Sequence, residues 1–382
     1  MQSTERQIGV VKTRVMTSLK EFSECRQAWN SLMADRVFHS WEWMYSWWEN
    51  YCDTGQLAVV IVEDQLGGWA GIAPWFKTSS ASRGNVVRSL GSGAACSDYV
   101  SFVSKPGFEA IVAKALVEQM FGHNQHELFS DVDLFEFEGH QEDDPLMQRL
   151  LESVPNDLAG CLTEEIGGAW RTELPATWEE FEGSLRKSFR RKTRKARKRL
   201  DSGEFDTKVY LLPEEIENNW SVFVDLHQRR RNSLGQPGCF ADERFERFLK
   251  AASVRLAASA RAQLNVVYHQ GAPLTCNLEF TSGDSNYMYQ TGMDPDKLKL
   301  EPGHINFTWA IGESINQQYR YFDFLRGDER YKQFWNSQRV NLCRTRFVTN
   351  RFSSNLRFSI VSAGKQMRSL AQNVKSKFEN RK

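Results

Sequence analysis

Hydrophobic positions along this chain switch between a period of two and a period near 3.6, which divides it into alternating strands and helices. Residues 9–16 read as an opening strand and 21–33 as an amphipathic helix. WEWMYSWWENY at 41–51 is a very aromatic helix, with Ser40 placed as its N-cap. Leu57–Glu63 and Trp69–Phe76 form a hairpin turning at Gln-Leu-Gly-Gly. Strands follow at 85–90, 98–103 and 131–137, with a helix at about 107–121. The second half has the same order. Helices at about 177–202, 213–233 and 241–259 precede a hairpin, Gln263–His269 with Pro273–Thr281. A strand Asn286–Thr291, a helix from Gly303 to about Gln318 and a strand around Tyr321 complete it. The repeated order suggests a duplicated fold, without residue-level identity between the halves.

Charge sharpens the division. Residues 1–180 hold 13 Lys/Arg against 27 Asp/Glu, and the remainder holds 36 against 21, so a net charge of +1 hides two units of opposite sign. The expected units are 9–165, 166–348 and a basic tail at 349–382. Seven scattered cysteines without a paired spacing indicate a reduced, cytoplasmic protein. The N-terminus lacks a basic-then-apolar leader, and no apolar run is long enough to span a bilayer.

Candidate chemistry collects in the second half. Tyr319–Trp335 runs from an aromatic strand into a turn at Arg326-Gly327-Asp328 and then an aromatic helical turn, with Asp323, Arg326, Tyr331 and Lys332 as polar groups. Arg326 and Asp323 could equally form a structural ion pair. Lys299-Leu-Glu-Pro-Gly-His304 opens a helix, where free N–H groups favour a phosphate; the alternative is a proline-initiated helix without a ligand. On Pro273–Thr281 the polar face carries Asn277 and Glu279, and Asn286–Thr291 exposes Tyr287 and Tyr289 opposite Met288 and Gln290. His227 lies on a helix ending in a Gly/Pro loop at 235–238 and is an acid/base candidate if it faces a cleft. Ten of the fourteen residues 186–199 are basic: a solvated helix that attracts an anionic ligand, or a membrane-surface or RNA contact. His123 and His126 lack a third ligand, so no metal is expected.

Taken together, the 319–335 segment, the helical His227 with its Gly-x-Pro-Gly-x-Phe loop, Ser40-Trp-Glu-Trp and Cys96-Ser-Asp-Tyr99 resemble the CelD-like acyltransferases of bacterial polysaccharide biosynthesis. These belong to the GNAT superfamily and are similar in layout to Fem-type peptidyltransferases. The resemblance implies a mixed α/β protein of two tandem GNAT-like domains, each a mixed central sheet flanked by helices, with the donor site in the second. It implies an acetyl-CoA or other acyl-CoA co-substrate, its pyrophosphate held at Lys299, Pro302, Gly303 and His304. The pantetheine arm would lie along Tyr289 and Gln290. Tyr331 would protonate the leaving thiolate, Asp323 would orient the acceptor, and Glu279 would act as base. His227 would face the cleft, and Lys332 or Arg326 would neutralise a carboxylate or phosphate. The implied activity is acyl transfer to an amino or hydroxyl group of a sugar or lipid-linked sugar precursor, with peripheral attachment to a membrane synthesis complex. Two other classes stay open: a Fem-like aminoacyltransferase using charged tRNA, and a non-catalytic accessory protein of a polysaccharide synthase.

Overall fold

The computed structural model describes residues 11–33, 36–155 and 157–351, with positions 354 and 357. Residues 9–10 of the expected opening strand, and most of the expected basic tail, lie outside the described residues. The first half opens with β1 (Lys12–Met16), α1 (Leu19–Glu24), α2 (Arg26–Leu32) and α3 (Trp41–Tyr51). Next come β2 (Gln56–Leu57), β3 (Val59–Glu63), β4 (Trp69–Ala73), β5 (Trp75–Ser80), β6 (Gly84–Ser89) and β7 (Val103–Ser104). It ends with α4 (Glu109–Phe121), β8 (Leu134–Gln141), α5 (Pro145–Ser153) and β9 (Ala159–Glu173). The second half begins with α6 (Trp178–Ser184), α7 (Lys187–Asp201), β10 (Asp206–Tyr210), α8 (Pro213–Ser233) and α9 (Glu243–Ala257). β11 (Ala262–His269), β12 (Ala272–Ser282), β13 (Ser285–Met293), α10 (Pro302–Asn316), β14 (Tyr321–Arg326) and β15 (Gln338–Thr349) follow.

Local chemistry accounts for most of these boundaries. Ser40 caps α3 by accepting from Trp43 N–H, and Pro145, Pro213 and Pro302 each open a helix, where proline removes no needed donor. Four expectations change. The 21–33 helix breaks at Cys25, and the 177–202 helix breaks at Leu185-Arg186, where both residues are extended. The 57–76 hairpin divides at Ala58 and Pro74. Its inner parts, β3 and β4, join a four-stranded sheet ordered β1-β3-β4-β7, while β2 and β5 join the large sheet. The strand expected at 98–103 is mostly loop, because Cys96 and Tyr99 take left-handed backbone conformations (φ 46° and 63°) that end an extended run.

The large sheet has eleven strands, ordered β10-β11-β12-β13-β14-β9-β15-β8-β6-β5-β2. Each half contributes a meander ending in a parallel pair around a crossover helix: β6 and β8 around α4, β13 and β14 around α10. At the centre the closing strands are exchanged. β9 follows β8 in sequence but pairs with β14, and β15 follows β14 but pairs with β8, while β9 and β15 pair with each other over twelve positions. The division expected at 165/166 falls inside β9. Above this sheet the aromatic helix α3 packs on α9, with the Trp43 ring set edge-on to Phe248 (4.9 Å) and Phe280 (5.4 Å). That helix is core shared by both halves, not a surface platform.

Candidate functional site: a cavity at splayed strands

The parallel contact between β13 and β14 lasts three residues, Ser285↔Tyr321, Asn286↔Phe322 and Tyr287↔Asp323, after which the strands part. β13 runs on to Met293. β14 instead bulges against β9 between Asp323 and Arg326, with Leu325 left-handed at φ 55°. Four carbonyl or carboxylate contacts hold this bulge. The buried Lys332 ammonium donates to the carbonyls of Leu325 (3.1 Å), Arg326 (2.8 Å) and Gly327 (3.0 Å) and pairs with Glu329 (3.0 Å). Lys332 is therefore committed to shaping the strand end, which corrects the expectation that it neutralises a ligand.

Where the strands part lies a cavity of about 570 Å³. Thr291 and Met293 of β13 form one wall, Gly303, His304 and Phe307 of α10 a second, and Tyr331, Phe334 and Trp335 a third. Lys192 of α7 and Arg230 and Arg231 of α8 bring three cations to it, against one carboxylate, Glu329. Tyr331 stacks on Phe307 (5.1 Å, 18°), and burial, then Glu329, raises its phenol above the ordinary value, so it carries its proton at neutral pH. His304 stacks on Trp335 (5.2 Å); burial and Lys192 push it down to about 4, so it is a neutral wall.

α10 starts against this cavity. Glu301 sits in the left-handed region (φ 59°) without a side-chain cap, Pro302 carries no N–H, and Gly303 N–H has no acceptor among the described residues. A Cβ on Gly303 would come within 3.2 Å of Met293 Cε, so a larger residue here would press on the Met293 side chain at the cavity wall. Glu301, which in sequence puts a negative charge at the helix start, is paired with Lys192 at 2.8 Å, a hydrogen bond that lowers its carboxyl. Lys299 is exposed on the preceding turn and, like Gln290, does not line the cavity.

A second cavity of about 230 Å³ lies where the halves meet, lined by Tyr99, Arg36, Arg171, Asp284 and Tyr287 among others. Asp323 stands beside it, fully buried. Its carboxylate accepts from Tyr99 O–H (2.7 Å) and from Leu325 N–H (2.7 Å), yet burial outweighs both and pushes it up to about 7. Arg326 pairs with buried Asp98 of the first half, through its guanidinium and its backbone N–H (2.8 Å), and also reaches Ser97 O (3.1 Å). The ion pair envisaged between Arg326 and Asp323 is replaced by this one, and Arg326 is not available to a cofactor.

Three further candidates differ from expectation. Glu279 is neither a solvated face nor open to an acceptor. It is fully buried and accepts from Gln263 (2.8 Å), Asn286 (2.8 Å) and Asn277 (3.1 Å), amide donors that oppose the upward push of burial. His227 is buried between Thr291 O (3.0 Å from Nδ1) and the Cys239 thiol (3.3 Å from Nε2), and burial lowers it to about 4. It ties α8 to β13 as a neutral imidazole. Tyr289 donates to Ala95 O (2.6 Å) across the halves instead of facing the cavity. The structure thus gathers Gly303, His304 and Tyr331 at one cavity and Asp323 at the other. Sequence reasoning missed Lys192, Arg230, Arg231 and Arg171 as individual site residues. A basic run and an Arg-Arg-Arg gave the only signal, because which of several adjacent cations turns inward depends on helix phase.

Residues 184–333 match the family model of an acetyltransferase (GNAT) domain. Over that stretch, 150 of the 382 residues, the chain is similar to a GNAT-type acetyltransferase domain. The match runs from the end of α6 into the 331–335 turn, and it contains both splayed strands and every residue lining the larger cavity except Phe334 and Trp335. Solved structures share the architecture over almost the whole chain. FemX superposes with a TM-score of 0.62 at 12% identity, covering 90% of this chain and 99% of its own. A conserved protein of unknown function from Bacteroides thetaiotaomicron VPI-5482 gives 0.55 at 11% identity, covering 89% and 100%. The C-terminal domain of a protein described as a lysylphosphatidylglycerol synthetase from Agrobacterium fabrum gives 0.52 at 9% identity, covering 91% and 96%. At these identities the likeness is one of fold, and the fold is the mixed α/β, GNAT-like architecture expected. No curated protein matches the chain at a significant level.

Proposed function

We propose that this protein is an acyl-CoA-dependent acyltransferase of CelD-like type, acting on an amino or hydroxyl group of a sugar precursor in bacterial polysaccharide biosynthesis. The observation that carries the reading is the parting of β13 and β14 beside the exposed start of α10, with three cations at one cavity. A CoA thioester needs an anion site for its phosphates, strand-edge groups for its amide-bearing arm and a place for the carbonyl between strands. Gly303 N–H, Lys192, Arg230 and Arg231 suit the phosphates. The unpaired edge of β13 suits the arm.

In the proposed reaction the acceptor nitrogen or oxygen attacks the thioester carbonyl, the C–S bond breaks, and no acyl-enzyme forms. Asp323, fully buried and pushed up to about 7, takes the proton lost by the acceptor through Tyr99, which lines the smaller cavity and donates its O–H to Asp323. Tyr331, protonated and on the cavity wall, returns one to the leaving thiolate. The smaller cavity, with Arg36 and Arg171 but also Asp98, Asp144 and Asp284 on its walls, suits a polar acceptor.

Titration calorimetry with acetyl-CoA tests the donor site. Binding in the micromolar range is expected, abolished by Gly303→Glu, which adds bulk against Met293 and a negative charge at the helix start. No heat up to millimolar donor would remove the acyl-CoA reading.

A further inference from the structure

The larger cavity keeps large apolar side chains open to water. Phe334 is 43% exposed and Leu234, which ends α8, is 51% exposed, and both line this cavity. The Phe334 ring has one ring partner among the described residues, Phe189 of α7, stacked at 5.5 Å and 29°. Phe189 in turn meets His304 edge-on at 4.9 Å and Trp335 edge-on at 4.8 Å. Phe334 is therefore the outer ring of a stack rooted at the start of α10. Tyr331 stands at the inner end of the same wall, since its ring stacks on Phe307 and Phe307 meets Trp335 at 6.0 Å.

A single exposed hydrophobic residue is ordinary on a protein surface. The surroundings of Phe334 are not. On α8, Arg229 is taken up by Asp225, Asp294 and Asp296. Arg230 and Arg231 instead line the cavity and pair with no carboxylate among the described residues, although Arg231 holds the Gln236 side chain at 3.0 Å. Free guanidinium groups and the Gly303 N–H suit phosphate, and an open aromatic ring suits a flat π-system. A CoA thioester carries one such system, its adenine, and the pyrophosphate joins it to the arm. The acyl group lies at the far end of that arm. A ring beside the phosphate site and away from Tyr331 therefore belongs with the nucleotide end of the donor.

We infer that Phe334, backed by Phe189, is the stacking platform for the adenine ring of the acyl donor. This rests on the acyl-CoA reading of the cavity and gives the donor a direction within it. The thioester lies toward Tyr331, the phosphates lie at Gly303 and the cations, and the base lies on Phe334. Leu234 adds apolar contact at the same cavity.

Calorimetry of the full chain with two ligands tests this: acetyl-CoA, and S-acetyl-phosphopantetheine, which ends before the adenosine. The parent should bind acetyl-CoA more tightly than the truncated ligand. Phe334→Ala should weaken acetyl-CoA by about tenfold, the usual scale for loss of one aromatic stacking partner. It should bind S-acetyl-phosphopantetheine as the parent does and, because the ring is exposed, melt close to the parent. Phe334→Trp keeps a stacking face and should hold acetyl-CoA at least as tightly as the parent. Equal affinity of the parent for both ligands, equal weakening of both by Phe334→Ala, or no weakening of either would overturn the inference. A Trp variant as weak as the Ala variant would overturn it too. All of these leave the donor reading standing. No heat from acetyl-CoA with the parent would instead remove the donor reading, and the platform with it.

Discussion

A single carboxylate, Asp323, sets the pH behaviour expected of this molecule. Burial raises it from 3.8 to about 7, so the fold favours its protonated form. The sign follows directly. Its contribution to stability is complete below the unfolded value near pH 4 and is lost as pH rises through about 7. Activity runs the other way, because a base must be ionised, so kcat/KM should rise across the same range. Asp323→Asn keeps the shape and removes the titration. We expect it to flatten the dependence of melting temperature on pH between 5 and 8 and to abolish most turnover. A variant that retains the parent's rising pH–rate limb would clear Asp323 of the role. Strain marks the same places. Of eight non-glycine residues in the left-handed region among those described, Cys96, Tyr99, Glu301 and Leu325 stand beside one cavity or the other, where the surrounding contacts over-determine the backbone.

Among the elements, α10 and α7 act as a pair. The start of α10 lacks a side-chain cap, and an acidic residue there would repel a phosphate were Lys192 not 2.8 Å away. The ion pair is partly exposed, so its strength is modest. Glu301→Gln should free Lys192 for the donor and tighten acetyl-CoA binding a few-fold in calorimetry. Weaker binding would mean that the carboxylate itself supports the site. The element scale is also where sequence reading worked best and where it stopped. Proline at helix starts, Ser40 before α3 and the alternation in β11 to β13 were all legible, because each rests on neighbours in the chain. β9 and β15 were not expected at all. Their residues, such as CLTEEIGG and NLCRTRF, follow no clean alternation, since charged side chains on adjacent strands pair across the sheet: Arg344 with Glu138 and Glu164, Arg346 with Glu136.

At the scale of the whole molecule, two devices join the halves: the exchanged strands β9 and β15, and the buried contact of Asp98 with Arg326. Removing one partner of a buried pair leaves the other charge uncompensated. Arg326→Ala should therefore lower stability by about 3 kcal/mol in urea unfolding. A loss within about 0.5 kcal/mol, the range of ordinary surface changes, would show that the junction does not depend on this pair. No helix among the described residues is long and apolar enough to cross a membrane.

A family resemblance supplied the GNAT-like architecture and pointed to Gly303 and Tyr331. The sequence pattern by itself determined the alternation of strands and helices, their order in each half and the charge contrast between halves. These depend on periodicity and on residues close in the chain. Tertiary structure decided what each polar residue does. Lys332, Glu279 and His227 read as chemistry in sequence, yet folding surrounds them with carbonyls, amides and a thiol. Asp323 lies some 220 residues from Tyr99 in sequence, a separation of 224, and takes its raised carboxyl from burial that exists only once the halves close. Local pattern cannot report burial or a partner that far away, because both are properties of the packed sheet and not of the segment.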